Sequence, residues 1–289
     1  QLVMLGAEVI KVEVPGIGDP ARMFGTDPAL GKKGMGASFF ASNAGKKSLT
    51  LNLKHARGKE VFHRLIRDAD VVIENFRPGI TKKLGVDYDT LKTINPCLIY
   101  CAVSGFGQSG PLSQRHAYDQ IIQGFCGLMS LTGDTTTAPI RAGYTVCDAT
   151  AAITAAFAIC AALYRKQKSG TGEMIDVSML DSSLASMAAW IFSNYLNVGD
   201  IPIPRGNDNP NSSPSGTFRT GGGSLNVVNN EDKHFQRLCE VIGMPELKKD
   251  PRFAERTTRL ANREQMRAVL EQALQSKNAE EWEVLLDAA

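Results

Sequence analysis

The sequence predicts an α/β protein: a parallel sheet wound with helices, joined to a smaller α+β domain. Three observations carry this. Short apolar runs alternate with helically spaced segments through the first half of the chain. The connections between them are short, which favours parallel strands with helical crossovers. Composition then shifts at residue 200 into a Pro-, Asn- and Ser-rich stretch, DIPIPRGNDNPNSSPSG, which reads as a long loop or linker.

Taken in order, VIKVE (9–13) is an apolar strand and KSLTLNL (47–53) alternates with period two. Residues 57–68 place Val61, Leu65 and Ile66 on one helical face. VVIENF (71–76) is a buried strand; a Pro78-Gly79 turn, a helical stretch to Leu84 and a helix over Tyr88–Ile94 follow. LIYCAVS (98–104) is the next strand. Two apolar helices are expected at 118–131 and 148–166, a strand at MIDVSM (174–179) and a long helix at 180–197. Beyond the loop, GTFRTGGGSLNVVNN reads as a hairpin turning at Gly221–Gly223, with helices over 232–242, 262–276 and 279–288. Ligands of such sheets bind beyond the carboxyl ends of the strands, here Glu13–Gly18, Leu53-Lys54, Asn75–Gly79 and Ser104–Gly110.

Bulk properties narrow the function. With 289 residues, 43% hydrophobic and 21% charged, the chain is an ordinary globular one. A net charge of +2 gives no reason to expect nucleic acid, but suits an anionic small ligand where basic residues converge. The apolar run at 149–163 is too short to span a bilayer and is expected as a buried helix, so no membrane partner is expected. Six cysteines sit in apolar segments without a CxxC or Cys/His cluster, and the four histidines lack ligand spacing. Reduced core thiols, a cytoplasmic location and no metal are therefore expected; His55 and His63 read as surface residues. The chain opens in a helix-like stretch (LVMLGAEV) and closes in another (LLDAA), so it is expected to be part of a longer polypeptide.

Asp148 is the most informative residue. It stands between an apolar, β-like run (Tyr144–Cys147) and an alanine-rich helix, and no further charged residue follows until Arg165. Two readings stay open: a helix N-cap, or a carboxylate nucleophile held at a helix N-terminus, whose dipole favours the anion. Ser104–Gly110 contains G-x-G-x-x-G, but Pro111 follows the third glycine and the run is not after the first strand, so a dinucleotide site is a weak reading. Glu74–Gly79 is either a strand-to-helix turn or a phosphate and adenine contact, in which Lys54 and Lys83 could join Arg77.

Together, GAEVIKVE, the GD-x-x-R at Gly18–Arg22, ENFRPG (74–79), GFGQSGP (105–111), AYD (117–119), the loop carrying Asp148 and GTGEMIDVSMLD (170–181) resemble the class III coenzyme A transferases, the CaiB/BaiF or formyl-CoA transferase family. The resemblance spans essentially the whole chain. It implies a Rossmann-like core in a large CoA-binding domain (1–199, with an N-terminal strand missing), a smaller α+β domain (200–289, with its C-terminal return missing) and an interlocked homodimer. It implies that Asp148 attacks the acyl-CoA thioester, with coenzyme A a substrate and no tightly bound cofactor. CoA contacts carry over to Leu51, Asn52, Leu53 and Lys54, to Asn75, Phe76 and Arg77, to Lys83, and to His116, Ala117 and Tyr118. Val14 stands where some members have a basic residue. The loop from Gly206-Asn207 to Pro214 lies where members cover the acyl group. The implied partners are an acyl-CoA and a small carboxylic acid. Related α-methylacyl-CoA racemases pair the same aspartate with a histidine preceding an aspartate. Tyr118 occupies that place here and His116 is two residues off register, which favours transfer. A racemase, or a catalytically incomplete CoA-binding relative, are the alternative readings.

Overall fold

The computed structural model describes residues 1–289, the side chains of residues 189 and 190 excepted. Where a helix is expected at the start, Val3–Leu5 makes only a 3-10 turn, closed by Gly6 in the left-handed region. Strand β1 (Ile10–Glu13) follows, then helices α1 (Pro28–Lys32) and α2 (Ala37–Asn43), β2 (Lys47–Thr50), α3 (Ala56–Asp68) and β3 (Val71–Glu74). Next come α4 (Ile80–Leu84), α5 (Tyr88–Ile94), β4 (Ile99–Ser104), α6 (Asp119–Phe125), α7 (Leu128–Leu131), α8 (Val146–Ser169) and β5 (Met174–Ser178). Helices α9 (Met179–Met187) and α10 (Ser193–Val198) flank a π-helical turn at Ala188–Phe192, which interrupts the helix expected over 180–197. The hairpin β6 (Gly216–Arg219) and β7 (Ser224–Val227) precedes α11 (Asp232–Val241), α12 (Arg256–Ala261), α13 (Arg263–Leu274) and α14 (Ala279–Asp287). The helix expected over 118–131 is two helices, parted at Gly127, whose φ of +83° ends the first.

Every pairing among β1–β5 is parallel. A single sheet is expected, yet the hydrogen-bonded ladders are two: β1-β2, and β3-β4-β5 with β4 in the middle. The central strand is the most apolar, and Ile99, Cys101 and Ala102 are wholly buried. A parallel strand covered on both faces must be apolar nearly throughout.

Helix α8 packs on β4, β5 and α9. Its inner face is Cys147, Ala151, Ala155, Ile159 and Ala162, spaced at helical period and made of small side chains that allow close approach to the sheet. Its outer face leaves Ile153, Phe157 and Tyr164 exposed, with Phe157 at 75%. At 24 residues the helix is longer than the apolar run predicts, and by length and composition alone it would cross a membrane. The core packing of its inner face accounts for the same composition without a bilayer. The thiols also divide: all six are free, four are buried, Cys97 is half-buried and Cys160 is exposed on this helix. His63 is half-buried and bonds the Gly85 carbonyl (3.0 Å), so it is not a surface residue, whereas His55 is exposed as expected and caps α3 through the Arg57 N–H.

The chain divides into two compact units: residues 1–128 with 141–200, and residues 129–140 with 201–289. The short segment 129–140 thus joins the second unit rather than the first. The second unit's core gathers Phe218, Phe235, Phe253, Met266, Leu270 and Trp282. Arg259 is buried there at 2% exposure, donating to the carbonyls of Ser213, Phe253 and Ala254 and to the Asp232 carboxylate. A buried guanidinium survives only with this number of acceptors.

In the first unit, the G-D-x-x-R segment serves the fold. Glu13 ends β1 and is buried. It accepts from Arg22 Nε (2.8 Å) and Nη2 (2.7 Å), from Ser48 Oγ on β2 (2.7 Å) and from the Asp19 N–H (2.9 Å). These donors, Arg22 foremost, hold the Glu13 carboxyl down at about 2. Its stabilising contribution is present above the ordinary value of 4.5 and is lost as pH falls from there toward 2. Glu13→Gln is expected to cost on the order of 2 kcal/mol at pH 7. Thermal unfolding should show the deficit at neutral pH and its disappearance near pH 2.

Candidate active site

The carboxyl ends of β3, β4 and β5 lie in register, with Glu74 beside Ala102 and Ser104 beside Ser178. Helix α8 enters β5 through the short 170–173 turn and so runs antiparallel to it. Its N-terminus, and Asp148 with it, therefore lies at the carboxyl end of the sheet, where wound sheets bind ligands. The β-like run expected at 144–147 is absent: α8 begins at Val146, with Thr145 as N-cap. Asp148 is consequently the third residue of the first turn and not the N-cap. The N-cap reading is corrected, and the carboxylate is left free of capping duty.

That duty falls to a residue the sequence does not advertise. Asp119, at the start of α6 and 7% exposed, accepts from the Cys147 N–H of α8 (3.2 Å). Gln123, one turn further on and 1% exposed, donates to both Asp119 oxygens (3.2 and 3.0 Å) and to the Tyr144 carbonyl (3.4 Å). Its own carbonyl accepts from the Ala142 N–H (2.8 Å). An Asp and a Gln four residues apart are a recognisable helix pair, but the partners at 142–147 belong to the tertiary fold.

Asp148 is open to solvent in this chain. The protein packed beside its carboxyl still desolvates it, and Asp119 adds like-charge repulsion, so its pKa is raised. Beside it, the Cys147 thiol is pushed up to about 11 by burial and is no competing nucleophile at neutral pH.

The remaining expected residues divide by element. Arg77 and His116 meet, 39 residues apart: Arg77 Nη1 donates to His116 Nε2 at 2.8 Å. Arginine always donates, so Nε2 is the acceptor in this contact. Asn75 is fixed to the end of β4 through the Val103 carbonyl (2.7 Å), and the Phe76 N–H is held by Glu74 (2.6 Å), leaving the Phe76 ring 44% exposed. Ala117 lies against Gly105, and Tyr118, 74% exposed, is the N-cap of α6. Lys83 is exposed on α4. Leu51, Asn52, Leu53 and Lys54 follow β2, where Asn52 Oδ1 accepts from the Lys54 N–H (3.0 Å). Among the described residues no hydrogen bond joins this segment to the Arg77–His116 group. Val14 is exposed just past β1. Gly206 and Asn207 belong to the second unit, where the Gly206 N–H donates to the Gly133 carbonyl (2.7 Å) and Arg267 holds Asp208. This loop is tethered, not a free linker.

The glycine turn at 105–110 is no dinucleotide cradle. Asp176 of β5 accepts from the Gln108 N–H (2.8 Å), so a carboxylate already occupies an amide that a phosphate would need. Gly105 instead serves close approach: a Cβ there would stand 2.0 Å from the Ala117 Cβ. No His/Cys/Asp/Glu group among the described residues is arranged to hold a metal ion.

The first unit is thus a wound parallel α/β unit with a partly desolvated carboxylate in a helix's first turn and an Arg–His pair beyond the strand ends. The family is given by comparison: a sequence model of CoA-transferase family III matches residues 1–289, and the chain belongs to that family of transferases. It is 40% identical over 279 residues to an acetyl-CoA:oxalate CoA-transferase of Acetobacter aceti, covering 96% of this chain and 70% of the relative. It is 40% identical over 269 residues to a succinate–glutarate CoA-transferase of Agrobacterium fabrum, covering 92% and 67%. The crystal structure of a CAIB/BAIF family protein from Brucella suis superposes with a TM-score of 0.87 at 38% identity, over 99% of this chain and 76% of that one.

Two outcomes follow from this geometry. Gly105→Ala is expected to cost about 1–3 kcal/mol through forced repacking against Ala117, readable by calorimetry. Asp148→Asn is expected to raise the melting temperature at pH 7. The folded pKa lies above the ordinary 3.8, so the ionised carboxylate costs stability that is recovered as pH falls through that interval. Melts repeated toward pH 3 should show the advantage of the Asn variant closing.

Proposed function

We propose that the chain acts as a CoA-transferase, moving CoA from an acyl-CoA to a small carboxylic acid, with Asp148 as the nucleophile. The observation that carries this is an uncapped, desolvated carboxylate in the first turn of α8, at the carboxyl end of the sheet. An Asp148 oxygen attacks the thioester carbonyl, the C–S bond breaks, and CoA thiolate leaves a mixed aspartyl anhydride. The thiolate then attacks the aspartyl carbon, releasing the donor acid and leaving an aspartyl-CoA thioester. The acceptor carboxylate attacks that thioester and expels the thiolate, which attacks the acceptor's acyl carbon and frees Asp148. Two covalent stages replace one hard exchange.

The chain's residues support distinct parts of this. Asn75, Phe76, Arg77 and His116 at the ends of β3 and β4 are the CoA contacts, the Arg77–His116 pair serving phosphate and Phe76 the adenine face. Leu51–Lys54, Lys83, Ala117 and Tyr118 complete the set. The Val146 and Cys147 amides are already engaged, by the Tyr144 carbonyl and Asp119, so the helix start contributes its dipole more than free donors. The family resemblance implies a cover of the acyl group in the loop from Gly206-Asn207 to Pro214, a role that would exclude water from the anhydride. The relatives' names point to dicarboxylates such as oxalate, succinate and glutarate as acids to screen. The outer face of α8, with Ile153, Phe157 and Tyr164, supports a homodimer, and the buried thiols support a cytoplasmic location.

The racemase reading is disfavoured because His116 Nε2 is taken up by Arg77. Incubation with succinyl-CoA or acetyl-CoA, trapping by hydroxylamine and peptide mass spectrometry should place the adduct on Asp148. Asp148→Ala should lower transfer at least about 10³-fold. An adduct elsewhere, or undiminished transfer, would sink the assignment; α-carbon deuterium exchange without an acceptor acid would favour racemisation.

A further inference from the structure

We propose that Asp119 and Gln123 are positioning residues for Asp148: the Asp119 carboxylate fixes the first turn of α8 through the Cys147 N–H, and Gln123 locks both that carboxylate and the loop leading into the helix. This rests on Asp148 being the nucleophile.

Asp119 sits immediately after Tyr118, so the segment that meets Arg77 through His116 is continuous with the group that holds α8. A chain of contacts thus runs from Arg77 to His116, along the backbone to Asp119, and across to Cys147, the neighbour of Asp148. Gln123 spends its whole amide on this arrangement. Its Nε2 faces Asp119 and the Tyr144 carbonyl, and its Oε1 faces the Ala142 N–H. The backbone on either side of the α8 start is therefore tied to α6 at three points: 142, 144 and 147. A buried carboxylate without a cation is costly, and here a helix N-terminus and a buried amide offset the cost. An Asn or Ser at the N-cap would cap α8 with no buried charge. Asp119 adds what those would not: a fixed negative charge beside Asp148. Desolvation by the packed protein foremost, and that charge after it, hold the Asp148 carboxyl above its ordinary pKa and so make the carboxylate more basic. The neighbouring Cys147 thiol meets the Cys126 thiol, just past α6, and the Ser183 hydroxyl of α9.

The test compares full-chain Asp119→Asn, Asp119→Ala and Gln123→Met with the parent and with Asp148→Ala, using succinyl-CoA and glutarate or acetyl-CoA and oxalate, whichever pair the parent turns over. Asp119→Asn keeps an acceptor for the Cys147 N–H and removes the charge, so the acid limb of the kcat/KM profile should move to lower pH. Asp119→Ala and Gln123→Met should lower kcat by about 10- to 100-fold while KM for the CoA thioester stays within about threefold. Variants that melt earlier yet keep the parent's acid limb and kcat would overturn the positioning role and leave the nucleophile intact. Transfer surviving in Asp148→Ala would overturn the nucleophile itself. If Asp119→Ala does not fold, the Asp119→Asn pH profile and the Gln123→Met rates decide alone.

Discussion

The first unit depends on the packing of α8 across β4 and β5. Its inner face is built from Cys147, Ala151, Ala155, Ile159 and Ala162 because a parallel strand buried on both faces leaves room for little else. Small side chains bring the helix axis close to the sheet and bury backbone as well as side chains. The direction of the helix then follows from the short 170–173 connection into β5. Once that is set, the first turn of α8 has one place to be, beyond the carboxyl ends of β3–β5. The position of Asp148 is therefore a consequence of core packing, and its backbone inherits rigidity from the buried alanines of the same helix.

Around that frame, buried polar groups organise the loops that the strands deliver. Glu13 gathers Arg22, Ser48 and the Asp19 amide at the end of β1, so the loop after the first strand is folded back onto the strand that produces it. Asp176 plays the same part for the glycine turn, and Asn75 for the end of β3. Asp176 on β5 meets the loop after β4, while Asn75, just past β3, reaches the Val103 carbonyl of β4. Strand ends are where ladder hydrogen bonding stops, and unmet donors and acceptors there need partners. The resulting rigidity presents Phe76, Arg77 and His116 outward.

Much of this was legible in the sequence, and the failures have physical causes. The strands β1 to β5 coincide with apolar runs or, for β2, with the period-two segment, and the hairpin turns at the predicted glycines, because period and turn chemistry are local. The start of α8 was misplaced because Val146 and Cys147 are apolar and β-like in isolation; the helix wins through Asp119, 28 residues away. The transfer of 129–140 to the second unit is invisible for the same reason: it depends on contacts such as Gly206 to Gly133 across a long sequence gap. Of the residues singled out for CoA, Arg77 and His116 are joined in space, an association that neither turn motif implies. The separation into two ladders also escapes periodicity, since each strand reads alike whether its neighbour is bonded or not.

The site also shows how one helix terminus serves two carboxylates. A helix N-terminus carries about half a positive charge and unsatisfied amides. Were Asp148 the N-cap, its oxygens would be turned inward onto α8 and lost to a ligand. With Asp119 supplying the acceptor from outside, the amide is satisfied and the positive end of the dipole still faces Asp148. The cost is a buried anion in α6, which Gln123 offsets with an uncharged donor. A lysine or arginine in that place would neutralise Asp119 and with it the repulsion that adds to desolvation in raising the Asp148 pKa. The choice of an amide over a cation therefore keeps this helix start anionic, with two carboxylates and no compensating side-chain cation between them.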